Sequence, residues 1–217
     1  MADPQAAAGM ARYGINADRA LGISIPGLEG LAKKIGKNHR LADALWSSGI
    51  HEARILACMV ADPQKVTEVQ LERWVKEFDS WDLCDQCCNR LIRKTDYAGR
   101  KAREWAGRPE QFVKRAGFVL MAVLAVHAPK GTDRQFDSFF KLIKKEAGDE
   151  RNFVKKAVNW ALRQIGKRSP ALNRKAIAVA EEIQQLESRT ARWVAGDALR
   201  ELRSAKIHKK LSGRALP

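Results

Sequence analysis

The segment Phe112-Val113-Lys114-Arg115-Ala116 returns as Phe153-Val154-Lys155-Lys156-Ala157, an offset of 41 residues. A chain that repeats itself at that period is confined to architectures that stack one small unit on the next. A second match, Ala161-Leu162-Arg163-Gln164-Ile165 against Ala198-Leu199-Arg200-Glu201-Leu202, continues the pattern at an offset of 37. Each of the first two copies opens a segment that ends in a basic, proline-containing turn, Pro129-Lys130 and then Lys167-Arg168-Ser169-Pro170. About 40 residues is the length of two helices and their turns.

The local pattern agrees. Apolar residues recur at spacings of three and four, as in Phe112, Ala116, Val119, Leu120 and Val123, and no Asn-Gly or Asp-Gly hairpin turn occurs. The predicted fold is all-α, a HEAT-like helical-repeat solenoid: one curved superhelix of antiparallel helix pairs over residues 1–217, with 205–217 expected as a basic, partly disordered tail. Capping signals predict helix starts near Pro26, at Pro63, at Ser80, at Pro109, near Asp133, at Glu150, at Ser169-Pro170 and near Ser188. The apolar run 117–128 continues the pattern that begins at Pro109, so it reads as a buried helix rather than a strand. It is about half the length a membrane span needs. No signal-peptide pattern opens the chain, and a soluble, cytoplasmic monomer is expected.

Charge points to a partner. The chain carries 40 Lys+Arg against 25 Asp+Glu, a formal net charge of +15, which favours a polyanion. Residues 41–90 hold nine acidic and five basic side chains, whereas 151–217 hold sixteen basic and five acidic, so the basic surface belongs to the C-terminal half. In a stack of repeats, Arg115 and its counterpart Lys156 should lie in a row that could follow a phosphate backbone; a solvated polar face is the other reading of such charges.

The most unusual stretch is Phe78-Asp79-Ser80-Trp81-Asp82-Leu83-Cys84-Asp85-Gln86-Cys87-Cys88. Ser80 reads as an N-cap, with Cys84, Cys87, Cys88 and Leu91 forming the core stripe of the helix that follows. Asp85 lies one turn beyond Trp81 on the same face. A carboxylate beside an indole suits a positively charged substrate; equally, Asp82 and Asp85 could complement the helix N-terminus while Trp81 packs inside. The cysteines have no second Cys or His pair at zinc spacing, because His39, His51, His127 and His208 are scattered, so buried free thiols and no metal or cofactor are expected.

Taken together, these residues resemble the bacterial HEAT-repeat DNA alkylation repair enzymes, the AlkD-like alkylpurine DNA glycosylases. Met10-Ala11-Arg12-Tyr13, then Leu21-Gly22-Ile23 and Pro26, is similar to the family's N-terminal element, although only nine residues precede Met10 where the family usually has a further helix. Ser80-Trp81-Asp82 with Asp85 resembles the segment carrying an aromatic wall and the catalytic carboxylate, with Ser80 where the family often has another tryptophan. Arg115 is similar to a phosphate-contacting arginine, and Trp160 to a second active-site tryptophan.

The resemblance implies a glycosylase that hydrolyses the N-glycosidic bond of cationic N3- or N7-alkylated purines in duplex DNA, in base excision repair. Asp85, Trp81 and Trp160 would be catalytic, and Arg115, Tyr13, Lys114, Lys155 and Lys156 would contact DNA. A catalytically silent HEAT-repeat DNA-binding protein, or a protein-interaction scaffold, are the alternatives.

Overall fold

A computed structural model describes residues 2–128 and 133–213. Among these residues there are thirteen α-helices, three short 3-10 turns and no strand. The turn expected at Pro129-Lys130 lies outside the described residues. The chain divides into two compact units, Met1–Ala98 and Gly99–Pro217.

The first unit contains α1 (Pro4–Met10), a 3-10 turn at Ala11–Tyr13, α2 (Ile25–Ile35), α3 (His39–Ser47), α4 (His51–Val60), α5 (Glu68–Lys76) and α6 (Trp81–Arg90). Helix α4 packs against α2, α3 and α6. Its core is marked by the parallel stacking of Trp46 on Trp74, 4.1 Å between ring centroids. Ser24 caps α2, with Pro26 in its first turn, as predicted. Pro63 does not start a helix. Asp62 instead accepts from the backbone N–H of Gln64 at 3.1 Å, closing a tight turn, and α5 begins after Thr67, whose hydroxyl accepts from the N–H of Gln70 at 3.2 Å.

The second unit follows as α7 (Ala98–Ala106), α8 (Gln111–His127), α9 (Asp137–Glu146), α10 (Asn152–Gly166), α11 (Pro170–Gln184), α12 (Arg189–Leu202) and α13 (Ala205–Ser212). Here the sequence repeat becomes a physical one. Helix α10 packs between α8 and α12, while α11 packs against α9. The equivalent phenylalanines Phe112 and Phe153 meet, their centroids 5.6 Å apart. Ion pairs between residues 38 apart tie α9 to α11, Lys144 to Glu182 and Asp137 to Lys175, each at 2.7 Å. The apolar run is indeed a buried helix, since Val113 to Ala125 of α8 are all buried. Gly117 lets α7 approach: a Cβ there would stand 2.7 Å from Ala106 Cα and 2.9 Å from the carbonyl carbon of Trp105. Within the segment expected as a tail, α13 is capped by Ser204 and buries Ile207 and Leu211.

Candidate nucleic-acid site

The core stripe of α6 sets which way its polar residues face. Leu83, Cys84, Cys87, Cys88 and Leu91 are all fully buried, the cysteines as free thiols. Burial pushes the Cys87 and Cys88 thiols up, away from the thiolate that nucleophilic chemistry needs. Trp81, Asp82 and Asp85 are left half-buried on the flank of the helix. Ser80 occupies the N-cap position with extended backbone, but its hydroxyl donates to Asp79 Oδ1 at 3.2 Å instead of capping the helix.

The N-terminal segment closes against this flank. The Trp81 indole N–H donates to the carbonyl of Tyr13 at 2.8 Å. The Glu52 carboxylate accepts the N–H groups of Leu21 and Gly22 at 2.8 and 2.7 Å, the His51 N–H donates to the Arg19 carbonyl at 3.0 Å, and Asn16 donates to Asp79 at 3.1 Å. Tyr13 is thereby pinned by its backbone while its side chain stays 73% exposed. Trp81 and Tyr13 are brought together, with Asp85 one helical turn from Trp81. Of the neighbouring carboxylates, Glu52 and Asp79 are spent on holding the N-terminal segment.

Asp82 has another partner, which sequence reasoning missed. Its Oδ2 lies 2.8 Å from His51 Nε2, and His51 is only 4% exposed. Burial disfavours the imidazolium, but the hydrogen bond and charge of Asp82, helped by Glu52 and Asp79, outweigh it and hold the imidazole above its ordinary range. Among the described residues, His51 Nδ1 and Asp82 Oδ1 have no hydrogen-bond partner. The available signal was a spacing near 30: His51 pairs with Asp82, Trp46 with Glu77 and Asp43 with Arg73.

In the second unit the expected cationic row divides. Lys114 is 8% exposed and paired with Glu146 and, at 3.3 Å, with Asp149; Arg115 is 6% exposed and donates to the Phe153 carbonyl at 2.6 Å. Both cations therefore fasten α8 to the repeat that follows, whereas the sequence reading has them contacting DNA. Lys156 is exposed, and no carboxylate among the described residues lies within ion-pair distance of it. Lys155 is half-buried, its ammonium 5.6 Å from the Trp193 ring centroid. Trp160 lies one turn beyond Lys156 on α10, half-buried, and its indole N–H reaches the Gln164 side-chain oxygen at 2.9 Å once that amide is turned to satisfy its neighbours.

Among the described residues there is no cluster of His, Cys, Asp or Glu that could hold a metal ion, and no helix is long and apolar enough to cross a membrane.

Comparison with known proteins adds a family. The sequence profile of a family described as "DNA alkylation repair enzyme" matches residues 1–202. A relative from Listeria innocua serovar 6a, called "Uncharacterized protein Lin0241", is 24% identical over 152 residues; the match covers 70% of this chain and 66% of the relative's length. A solved structure described as "a new family of proteins related to the HEAT-like repeat DNA glycosylases with affinity for branched DNA structures" superposes with a TM-score of 0.75. It is 18% identical, over 92% of this chain and 89% of that one, and it establishes the fold as HEAT-like.

Proposed function

The chain belongs to the DNA alkylation repair enzyme family, and from that premise we propose that it binds duplex DNA and releases cationic N3- or N7-alkylated purines by hydrolysing the N-glycosidic bond. The observation that carries this reading is the pairing on α6 of Trp81, held by the Tyr13 carbonyl, with Asp85 one turn along the same face. An alkylated purine already bears positive charge, so when the bond from C1′ to the base nitrogen breaks, its electron pair neutralises the base and no general acid is required. What remains is to stabilise the oxocarbenium sugar, to direct a water oxygen onto C1′ and to take up the proton that this water sheds as the new bond forms, and a fixed carboxylate does all three. Asp85 takes that role. The Trp81 indole borders the sugar, where cation–π attraction contributes about 1–2 kcal/mol, and the exposed Tyr13 phenol contacts the strand beside it.

In the second unit, Lys155 and Lys156 hold phosphates and Trp160 packs its ring beside them. Lys114 and Arg115 serve the fold.

A second reading, DNA binding without base release, is favoured by the solved relative, which is described by its affinity for branched DNA and not by a reaction. The leaving group separates the two. Without a proton donor for a neutral base, a step typically worth about 10²–10⁴-fold is missing, so 7-methylguanine and 3-methyladenine are excised and hypoxanthine and uracil are not. Matched duplexes carrying the four lesions test this under single turnover. Release of hypoxanthine as fast as 7-methylguanine contradicts the Asp85 mechanism, and release of none supports the second reading.

A further inference from the structure

The repeat that pairs Arg115 with Lys156 at an offset of 41 reaches Trp193 at the next offset of 37. Burial follows this register on both helices. Val154, Ala157, Ala161 and Leu162 of α10 are buried, as are their counterparts Ala191, Val194, Ala198 and Leu199 of α12, while Lys156 and Trp193 both face solvent. A position that holds a cation in two repeats holds an indole in the third, and that indole is 44% exposed, an uncommon fate for so large an apolar ring.

Its surroundings are those of a ligand surface. The Lys155 ammonium stands 5.6 Å from the ring centroid, enriching one face with positive charge. Arg192 is exposed beside it, and at Gly196, one turn on, a Cβ would meet no heavy atom within 4 Å apart from its chain neighbours and the helix's own backbone, so the helix surface next to the ring is open. The segment 151–217 that carries all of this holds sixteen basic residues against five acidic ones, which selects an anionic partner.

We infer that Trp193, flanked by Lys155 and Lys156, is a stacking platform for an unpaired nucleobase in DNA, the two lysines holding the phosphates on either side of it. The inference rests on the DNA-binding part of the proposed function and gives that surface a preference for strands whose bases are not paired. An indole offers a π-face to any base, so recognition is of the unpaired state and not of sequence.

The test compares the full chain with its Trp193→Ala and Trp193→Phe variants on two DNAs of one sequence, an intact duplex and a duplex with a short single-stranded gap. Thermal melts of all three proteins establish that they are folded. Wild type binds the gapped DNA more tightly. Trp193→Ala loses about tenfold in affinity for the gap, as expected for one base stack, with a change of less than twofold on the intact duplex, and Trp193→Phe keeps most of the preference. Three results overturn the platform while leaving DNA binding in place: equal wild-type affinity for both DNAs, a gap preference undiminished in Trp193→Ala (even if the sedimentation of the free protein changes, marking a self-association contact), or Trp193→Phe falling as far as alanine. Failure of the wild type to bind either DNA at low salt overturns the DNA-binding reading, and this inference with it.

Discussion

Lys114 and Lys156 are both lysines at the start of a repeat, and their surroundings give them opposite consequences. Lys114 is enclosed with Glu146 and Asp149, so Lys114→Ala takes the buried cation from Glu146 and leaves Asp149 to Arg151 alone, and it is expected to cost about 1–3 kcal/mol. Lys156→Ala is expected to leave stability within about 0.5 kcal/mol and to lower the slope of log affinity against log salt for duplex DNA by about one, as for one phosphate contact. Urea denaturation and a salt titration on both variants check this; a reduced slope for Lys114→Ala with unchanged stability would reverse the assignment. The sequence could not separate the two, because neither the helical period nor the repeat says which carboxylates a neighbouring helix brings to a given lysine. His51 carries a prediction of another kind. Its pKa is raised on folding by Asp82, Glu52 and Asp79 in spite of burial, so the folded state keeps the proton to higher pH than the unfolded chain does. Stabilisation by the pair is complete below about pH 6.5 and is lost as pH rises through the folded value. The stability margin of wild type over His51→Gln should therefore be larger at pH 6 than at pH 8.5, and a margin that is flat or grows with pH contradicts the pairing.

Among elements, α8 depends on one glycine. Any side chain at Gly117 meets the backbone of Trp105 and Ala106 and not a movable side-chain tip, so Gly117→Ala must part α7 from α8. It is expected to destabilise by about 1–3 kcal/mol despite alanine's better helix propensity, and a thermal melt unchanged or raised would show that the helices accommodate it. Helix starts were legible where a cap and an N1 proline coincide, as at Ser169-Pro170, where the Ser169 hydroxyl accepts from Leu172 N–H at 3.3 Å. Asp62-Pro63 offers the same kind of signal, a cap-type residue before a proline, yet the Asp62 side chain closes a turn and Thr67 takes over as cap. Helix α4 begins without a side-chain signal that a single sequence offers, after Ile50, which makes no side-chain cap. The Trp81 and Asp85 spacing on α6 was readable from periodicity alone. The main-chain bond from Trp81 to Tyr13, 68 residues away in sequence, was not, because no local pattern encodes which loop a helix end will meet.

For the whole molecule, the repeat spends many of its cations internally. Arg163 pairs with Asp197 at 3.1 Å and Lys167 with Glu201 at 2.9 Å, in addition to the α9–α11 pairs. With only five acidic residues in 151–217, a large surplus of cations remains after this pairing, so affinity for DNA should be electrostatic and fall steeply with salt. Binding alone, though, is common to the enzyme and to a silent relative. The most direct test of base release is to incubate the full chain, in excess, with duplex DNA containing 7-methylguanine and to measure free 7-methylguanine over time, with Asp85→Asn as its partner on the same DNA. The wild type is expected to release the base and Asp85→Asn to release essentially none while binding as tightly or slightly more so, since a carboxylate near polyanionic DNA opposes binding and is useful only in the transition state. Release by Asp85→Asn at the wild-type rate, or no release by a wild type that binds the DNA, would contradict the account.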